Sequence, residues 1–283
     1  MYKLPVICLA LLAIVLTFVY KAETRLVTLP RAEVLHAQAE RHATTTQLHL
    51  SARSYLVFDN ETGEELFTHD ASSRHEMASV VKLITADTLF SESSSTLAAT
   101  ATIVWQSYSA EGESGMLELG ERYTLRELVF PLLLSSSNDA AEAIAQARGE
   151  STFLKAMRAR VKAVGMSSTT IDDPSGLSPR TTTTARDLMA LLRFLYRENR
   201  HELDITTLPR YVGAQHTWQN MNPVSQLPEF LGGKQGHTDT AQSTLAALFS
   251  VSTTGRAHRT VGIVLLGSTN LEGDTKAVLK ALQ

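Results

Sequence analysis

Hydrophobic and polar positions divide the chain into segments with different periods. An unbroken apolar run covers residues 4–20, and a polar stretch with weak helical character at 31–40 follows it to about residue 50, ending on Thr44-Thr45-Thr46. Residues 54–58 and 65–68 then read as two short strands, joined by the turn residues Asn60-Glu61-Thr62-Gly63. Helical periodicity dominates the middle of the chain. Thr124-Leu125-Arg126-Glu127 is a capping box ahead of an apolar helix at 128–134, residues 139–148 are alanine-rich, and 152–164 form a helical pattern closed by Gly165. Thr184-Ala185-Arg186-Asp187 opens a further helix reaching about Arg197. Strand-like segments return at 243–252 and 260–266, before a closing helix at 274–282. Strands, then helices, then strands predict one sheet assembled from both chain ends, with a helical insertion at about 85–225. The expected class is α/β (α+β).

The apolar run at 4–20 is about as short as a spanning helix can be. Tyr20-Lys21-Ala22 is a poor match to a small-x-small cleavage pattern, which favours an uncleaved anchor over a cleaved signal peptide. The expected organisation is a membrane anchor or signal at 1–20, a tether at 21–50 and one exported domain at 51–283. Cys8, the only cysteine, lies in the apolar run, so there is no disulfide framework. Ile7 before it argues against lipidation. A net charge of −3 without a basic stripe gives no sign of a nucleic-acid partner. The nine histidines contain no His-Glu-x-x-His and no pair with metal-ligand spacing, so no metal or other cofactor is expected.

Chemistry concentrates in three places. In Ser79-Val80-Val81-Lys82, helical spacing puts a hydroxyl and an amine on one face. A partly desolvated lysine can take the proton of such a serine and activate it. Ser136-Ser137-Asn138 sits where one predicted helix ends and the alanine-rich one begins, and both Ser136 and Asn138 are also good helix N-caps. Lys234-Gln235-Gly236 follows Leu231-Gly232-Gly233, and those glycines favour close approach of backbone to a ligand over a merely solvated strand end. Asp172 and Asp173, adjacent on a Pro-containing turn, read as structural. Trp105 and Tyr108 either line a cleft or pack.

Serine-x-x-lysine, then serine-x-asparagine, then lysine-x-glycine is the motif order of active-site serine penicillin-binding proteins and related β-lactamases. The stretches Gly115-Met116-Leu117-Glu118-Leu119-Gly120-Glu121, Leu133-Leu134-Ser135-Ser136-Ser137-Asn138-Asp139-Ala140-Ala141, Asp173-Pro174-Ser175-Gly176-Leu177, Thr184-Ala185-Arg186-Asp187-Leu188 and Gly236-His237-Thr238-Asp239 resemble the D-alanyl-D-alanine carboxypeptidase family, the low-molecular-mass penicillin-binding proteins. The resemblance runs from about Ala52 to about Gly267. It implies a β-lactamase/transpeptidase-like fold, an antiparallel sheet flanked by helices with an all-helical subdomain. It also implies a peptidoglycan stem peptide as substrate, β-lactam antibiotics as covalent inhibitors, and a membrane-tethered catalytic domain outside the cytoplasm.

Carried over by position, the resemblance makes Ser79 the nucleophile and Lys82 its base, kept neutral with help from the cation of Lys234. Ser136 would relay a proton to the leaving amine, and Asn138 would bind the substrate amide or hold Lys82. Lys234, Gln235, Gly236, His237 and Thr238 would form the substrate-binding strand, Lys234 supplying positive potential for the substrate carboxylate. The oxyanion hole would be the backbone amides of Ser79 and His237. Two positions depart from the family: Gln235 stands where it has Thr or Ser, and Gln242 where glycine is common. Both bear on how a free terminal carboxylate is held, and they point toward weak activity or a cross-linked substrate. Rival readings are a β-lactamase, disfavoured because residues 171–184 contain no glutamate, and a non-catalytic peptidoglycan-binding homologue.

Overall fold

The two ends of the chain build one sheet, and the helices between them cover one face of it. The computed structural model describes residues 48–252 and 258–283, so the anchor expected at 1–20 and most of the tether lie outside the described residues. In chain order the elements are β1 (Ser54–Asp59), β2 (Glu65–His69), β3 (His75–Glu76), α1 (Val81–Phe90), α2 (Ser94–Ala98), β4 (Thr100–Thr102), α3 (Trp105–Tyr108), β5 (Arg122–Thr124), α4 (Leu125–Leu134), α5 (Asn138–Ala147) and α6 (Glu150–Val164). There follow β6 (Thr182–Thr183), α7 (Ala185–Glu198), α8 (His201–Thr207), β7 (Arg210–Val212), β8 (Thr217–Gln219), β9 (Phe230–Thr238), β10 (Gln242–Val251), β11 (Arg259–Ser268) and α9 (Leu271–Ala281). The sheet runs β2-β1-β11-β10-β9 with antiparallel pairing throughout. Among the described residues, no helix is long and apolar enough to cross a membrane.

Strand alternation sends successive side chains to opposite faces, and both faces are buried. Leu56, Phe58, Ala246, Leu248, Val264 and Leu266 join the large core beneath the helices, whereas Tyr55, Val57, Leu245, Ala247, Ile263 and Leu265 pack with Leu271, Val278 and Leu279 on the other side. That double burial explains why β1, β10 and β11 read as nearly continuous apolar runs. The capping box is present: the Glu127 amide donates to Thr124 Oγ1 at 3.2 Å, and the Thr124 amide donates to Glu127 Oε2 at 2.8 Å. The cap of α5 differs from expectation. It is Ser137, whose Oγ accepts from the Ala140 amide at 2.9 Å, and not Ser136 or Asn138. The helical part also carries three two-stranded ribbons, β3–β6, β4–β5 and β7–β8, each too short for alternation to reveal.

Candidate active site

Ser79 lies in a single 3-10 turn, Ala78–Val80, that leads straight into α1. Ala78 has φ 45°, a left-handed conformation that costs a residue with a Cβ roughly 1–3 kcal/mol and survives only where its surroundings impose it. Two glycines do so. A Cβ on Gly176 would fall 2.0 Å from the Ala78 carbonyl oxygen, and one on Gly236 would fall 2.5 Å from the Ser79 amide nitrogen. The peptide before the nucleophile is thus gripped between the 173–177 loop and the edge strand β9. Thr244 on β10 adds a hydrogen bond from Oγ1 to the Met77 carbonyl at 3.0 Å.

Lys82 is fully buried, and its Nζ has three partners: Ser79 Oγ at 2.8 Å, Asn138 Oδ1 at 2.6 Å and the Ser175 carbonyl at 2.7 Å. Burial pushes its proton affinity well below that of an ordinary lysine, and the nearby cation of Lys234 pushes it further in the same direction. A neutral amine has two N–H donors and one lone pair. Asn138 Oδ1 and the Ser175 carbonyl can only accept, so they take both donors and leave the lone pair facing the Ser79 hydroxyl.

The second cluster adjoins the first. Lys234, also buried, donates to Ser136 Oγ at 2.9 Å and to the Gln235 carbonyl at 2.7 Å, and burial brings its pKa down to about 7. Ser136 has φ 60°, which turns its side chain out of the chain path that Ser137 uses for capping. Asn138 Nδ2 donates to the Glu111 carbonyl at 2.7 Å, fixing the amide so that its oxygen faces Lys82. The structure therefore brings Ser79, Lys82 and Asn138 into direct contact and places the Ser136–Lys234 pair beside them.

The D-alanyl-D-alanine carboxypeptidase (peptidase S11) family model matches residues 41–269. The chain belongs to this family. It is 32% identical over 148 residues to a D-alanyl-D-alanine endopeptidase of Pseudomonas aeruginosa, covering 52% of this chain and 48% of that protein. To a D-alanyl-D-alanine carboxypeptidase of Mycobacterium tuberculosis it is 29% identical over 204 residues, 68% of each. The crystal structure of a D-alanyl-D-alanine carboxypeptidase from Mycobacterium tuberculosis H37Rv superposes with a TM-score of 0.73 at 25% identity, covering 84% of this chain and 93% of that one. The first two curated relatives, both endopeptidases, are matched over only about half their length, 48% and 53%. The expected antiparallel sheet with its helical cover is the fold of these relatives.

Within this family member, β9 is the edge strand of the sheet; its first half lies against α8, where the Gly233 amide donates to Thr206 Oγ1 at 2.9 Å, and its second half, from Gly236, lies beside Ser79. Lys234 and Gly236 face the helices, and Gln235 between them is half-buried with no hydrogen bond from its side chain to the described residues. His237 is exposed, its Nδ1 3.2 Å from Ser243 Oγ. Thr238 is occupied otherwise than expected: its Oγ1 accepts from the Ala241 amide at 3.0 Å and braces the β9–β10 turn. Gln242 belongs to the same turn. It has φ 57°, the region glycine prefers, and its Nε2 donates to the Asp239 carbonyl at 2.6 Å. Its departure from the family pattern is therefore a matter of backbone strain in the turn. Trp105 and Tyr108 do not pack in the core; they are exposed, with ring centres 5.8 Å apart.

Three contributors were not singled out from the sequence. The Ser175 carbonyl has no residue-type signature; the signal lay in Asp173, whose Oδ2 accepts from the amides of Gly176 at 2.6 Å and Leu177 at 2.9 Å and from Ser175 Oγ at 2.7 Å. Asp139, buried at the start of α5, accepts from the Gly115 amide at 2.9 Å and Ser114 Oγ at 2.8 Å and so ties down the loop over the cleft. Glu111 supplies the carbonyl that orients Asn138. Among the described residues, no group of side chains could hold a metal ion.

Proposed function

We propose that this protein is a serine D,D-peptidase that cleaves the terminal D-Ala-D-Ala linkage of peptidoglycan stem peptides through an acyl-enzyme on Ser79. The observation that carries the reading is the buried Lys82 Nζ, 2.8 Å from Ser79 Oγ with Asn138 Oδ1 and the Ser175 carbonyl as its other partners; as a neutral amine it would give its two donors to those oxygens and its lone pair to the Ser79 hydroxyl. Lys82 takes the proton of Ser79 as Oγ bonds to the penultimate D-Ala carbonyl carbon. The oxygen that becomes negative accepts from the backbone amides of Ser79 and His237, where each such donor is worth about 3–4 kcal/mol of barrier. The C–N bond then breaks, and the leaving amine receives a proton through Ser136, whose Oγ already accepts from Lys234 and so is free to donate. Water hydrolyses the ester by the reverse sequence. Lys234, with Gly236 and His237 on the edge strand, lines the substrate side, and the apolar run at 4–20 tethers the 51–283 domain to the membrane with its active site outside.

The loop at 171–184 supports a peptidase over a β-lactamase. Asp173 is saturated by its own loop, and Asp172 is taken by Arg180 at 2.8 Å and Ser178 at 2.6 Å, so neither carboxylate is free to activate a deacylating water. The test is mass spectrometry after incubation with a penicillin. A long-lived covalent adduct on Ser79 is expected. Folded protein that forms none would sink the reading, and rapid turnover of a chromogenic cephalosporin would move it to β-lactamase.

A further inference from the structure

A polar cavity of about 260 Å³ lies where β9 turns into β10. Its lining includes Arg53, Arg74, His75 and Glu76, from β3 and the segments leading into β1 and β3, and Thr240 and Ala241 of the β9–β10 turn. Thr240 Oγ1 donates to Glu76 Oε2 at 2.6 Å, which joins the turn to β3 and occupies one oxygen of that carboxylate. Arg53 lays its stem across β11 at Gly267, where a Cβ would fall 2.8 Å from Arg53 Cδ. Neither the Arg53 nor the Arg74 guanidinium has a hydrogen bond or ion pair among the described residues, and both are exposed. His75 Nε2 is buried there and also lacks a partner. Burial and the charge of Arg53 favour the neutral form of that ring, so the positive charge of the cavity rests on the two arginines. Two unpaired guanidinium groups facing one carboxylate that is already hydrogen-bonded make a site for an anion, and their planar donors match a carboxylate.

The position of this cavity relative to Ser79 suggests which anion it takes. Ser79 lies four residues beyond His75, a span of at most about 14 Å of extended chain. β9 passes Ser79 at Gly236 and then runs through Thr238 to the turn. Lys234 stands before that crossing and the cavity after it. With the carboxylate of the leaving D-Ala drawn to Lys234, the acyl half of the peptide extends from Ser79 the other way, toward Thr238 and the turn. A carboxylate one or two residues upstream of the D-Ala-D-Ala pair falls within that span. Resting on the peptidase reading of Ser79, we propose that Arg53 and Arg74 form an anion subsite for a carboxylate on the acyl-donor side of the stem peptide. Two sources share that chemistry: a carboxylate ending the side chain of the residue just before the pair, and the free α-carboxylate of a γ-linked acidic residue one position further.

Two pairs of peptides separate these sources, and every member ends in the same D-Ala-D-Ala carboxylate. In the first pair, the residue before D-Ala-D-Ala has a four-methylene side chain ending in a carboxylate or a carboxamide. In the second, acetyl-D-Glu is γ-linked to acetylated L-Lys-D-Ala-D-Ala, with the glutamate α-carboxyl free or amidated. An exposed ion pair is worth up to about fivefold in affinity, and two together about tenfold. At low salt the acid of at least one pair should therefore exceed its carboxamide about tenfold in kcat/KM, and the pair that shows the gap identifies the source. Arg53→Gln combined with Arg74→Gln should close the gap to within about twofold, whereas Arg53→Lys with Arg74→Lys, which keeps both charges, should retain most of it. Salt should narrow it. Equal rates on acid and carboxamide in both pairs, a gap that survives the double glutamine variant, or a gap indifferent to salt would each overturn the proposal and leave the peptidase reading standing. Inactivity on all four peptides would sink the peptidase reading and this inference with it.

Discussion

Replacing Gly236 by alanine isolates the grip on the nucleophile. The added Cβ would stand 2.5 Å from the Ser79 amide nitrogen, where ordinary van der Waals contact begins at 3.4 Å, and 2.9 and 3.0 Å from Thr244 Oγ1 and Ala78 Cβ. None of these can step aside easily. Ser79 N is backbone, and a Cβ on Gly176 would already be 3.0 Å from it on its other flank. Ala78 is in the left-handed region, and Gly236 is paired with Thr244 across the β9–β10 ladder. The displacement, most of an ångström, therefore falls on the separation between Ser79 and β9, the two sides of the proposed oxyanion hole. A misplacement of that size costs on the order of 10²-fold in rate, and losing one oxyanion donor about 10²–10³-fold. Acylation by a fluorescent penicillin, followed by stopped flow and localised to Ser79 by mass spectrometry, should slow by that factor. Overpacking should cost about 1–3 kcal/mol of stability. Gly120→Ala is the control: its φ is 88°, yet no atom lies within 4 Å of the new Cβ, so it carries backbone strain without a clash at the site. It should melt earlier and acylate normally. Acylation of Gly236→Ala within about threefold of the unaltered protein, or an equal loss in Gly120→Ala, would refute the reasoning.

The pH–rate profile of acylation should fall on the acid side as Lys82 gains its proton, and because burial and Lys234 both depress its proton affinity, activity persists well below the usual lysine range. Lys234→Met removes a neighbouring cation, so Lys82 becomes easier to protonate and the acid limb must move to higher pH; a shift to lower pH contradicts the assignment. Lys234 itself is cationic only below about 7, so KM for an acidic peptide should rise as pH increases through that value, while KM for its carboxamide stays level. Gln242→Gly should relieve about 1 kcal/mol of left-handed strain, partly offset by the lost bond to the Asp239 carbonyl, and raise Tm by a few degrees without changing acylation; a lower Tm would mean that the hydrogen bond outweighs the strain.

The parts of the site legible in the sequence are those whose geometry is local. Ser79 and Lys82 are three residues apart, and a helical turn sets their distance whatever the rest of the chain does. The strands β1, β10 and β11 are legible for a similar reason: continuous apolar stretches announce burial on both faces, whereas β2, with no fully buried residue, is marked by the turn that precedes it. The three ribbons leave no such pattern because two or three residues are too few to show a period, and between β3 and β6 the pairing joins residues as far apart as His75 and Thr183.

Backbone groups and long-range charge leave no such mark. The Ser175 carbonyl completes the valence of Lys82 from 93 residues away, and serine at that position says nothing about where its carbonyl points. Only Asp173, drawing three amides and two hydroxyls onto one carboxylate, could have revealed that the loop was built to hold a shape. The same holds for Ser136 and Ser137, identical in chemistry and adjacent in sequence. One caps α5 and the other meets Lys234, and the left-handed φ of Ser136 is what separates them. The loop at 111–115 shows the limit most clearly: nothing in Glu111-Gly112-Glu113 marks it as part of the site until the backbone amide and Nδ2 of Asn138 pin its carbonyls at 2.8 and 2.7 Å. The nucleophile and its base follow from residue type and spacing. The backbone groups that hold them in place are brought together only by the fold, so the carbonyls of Ser175 and Glu111 matter to the site as much as the side chains the motifs name.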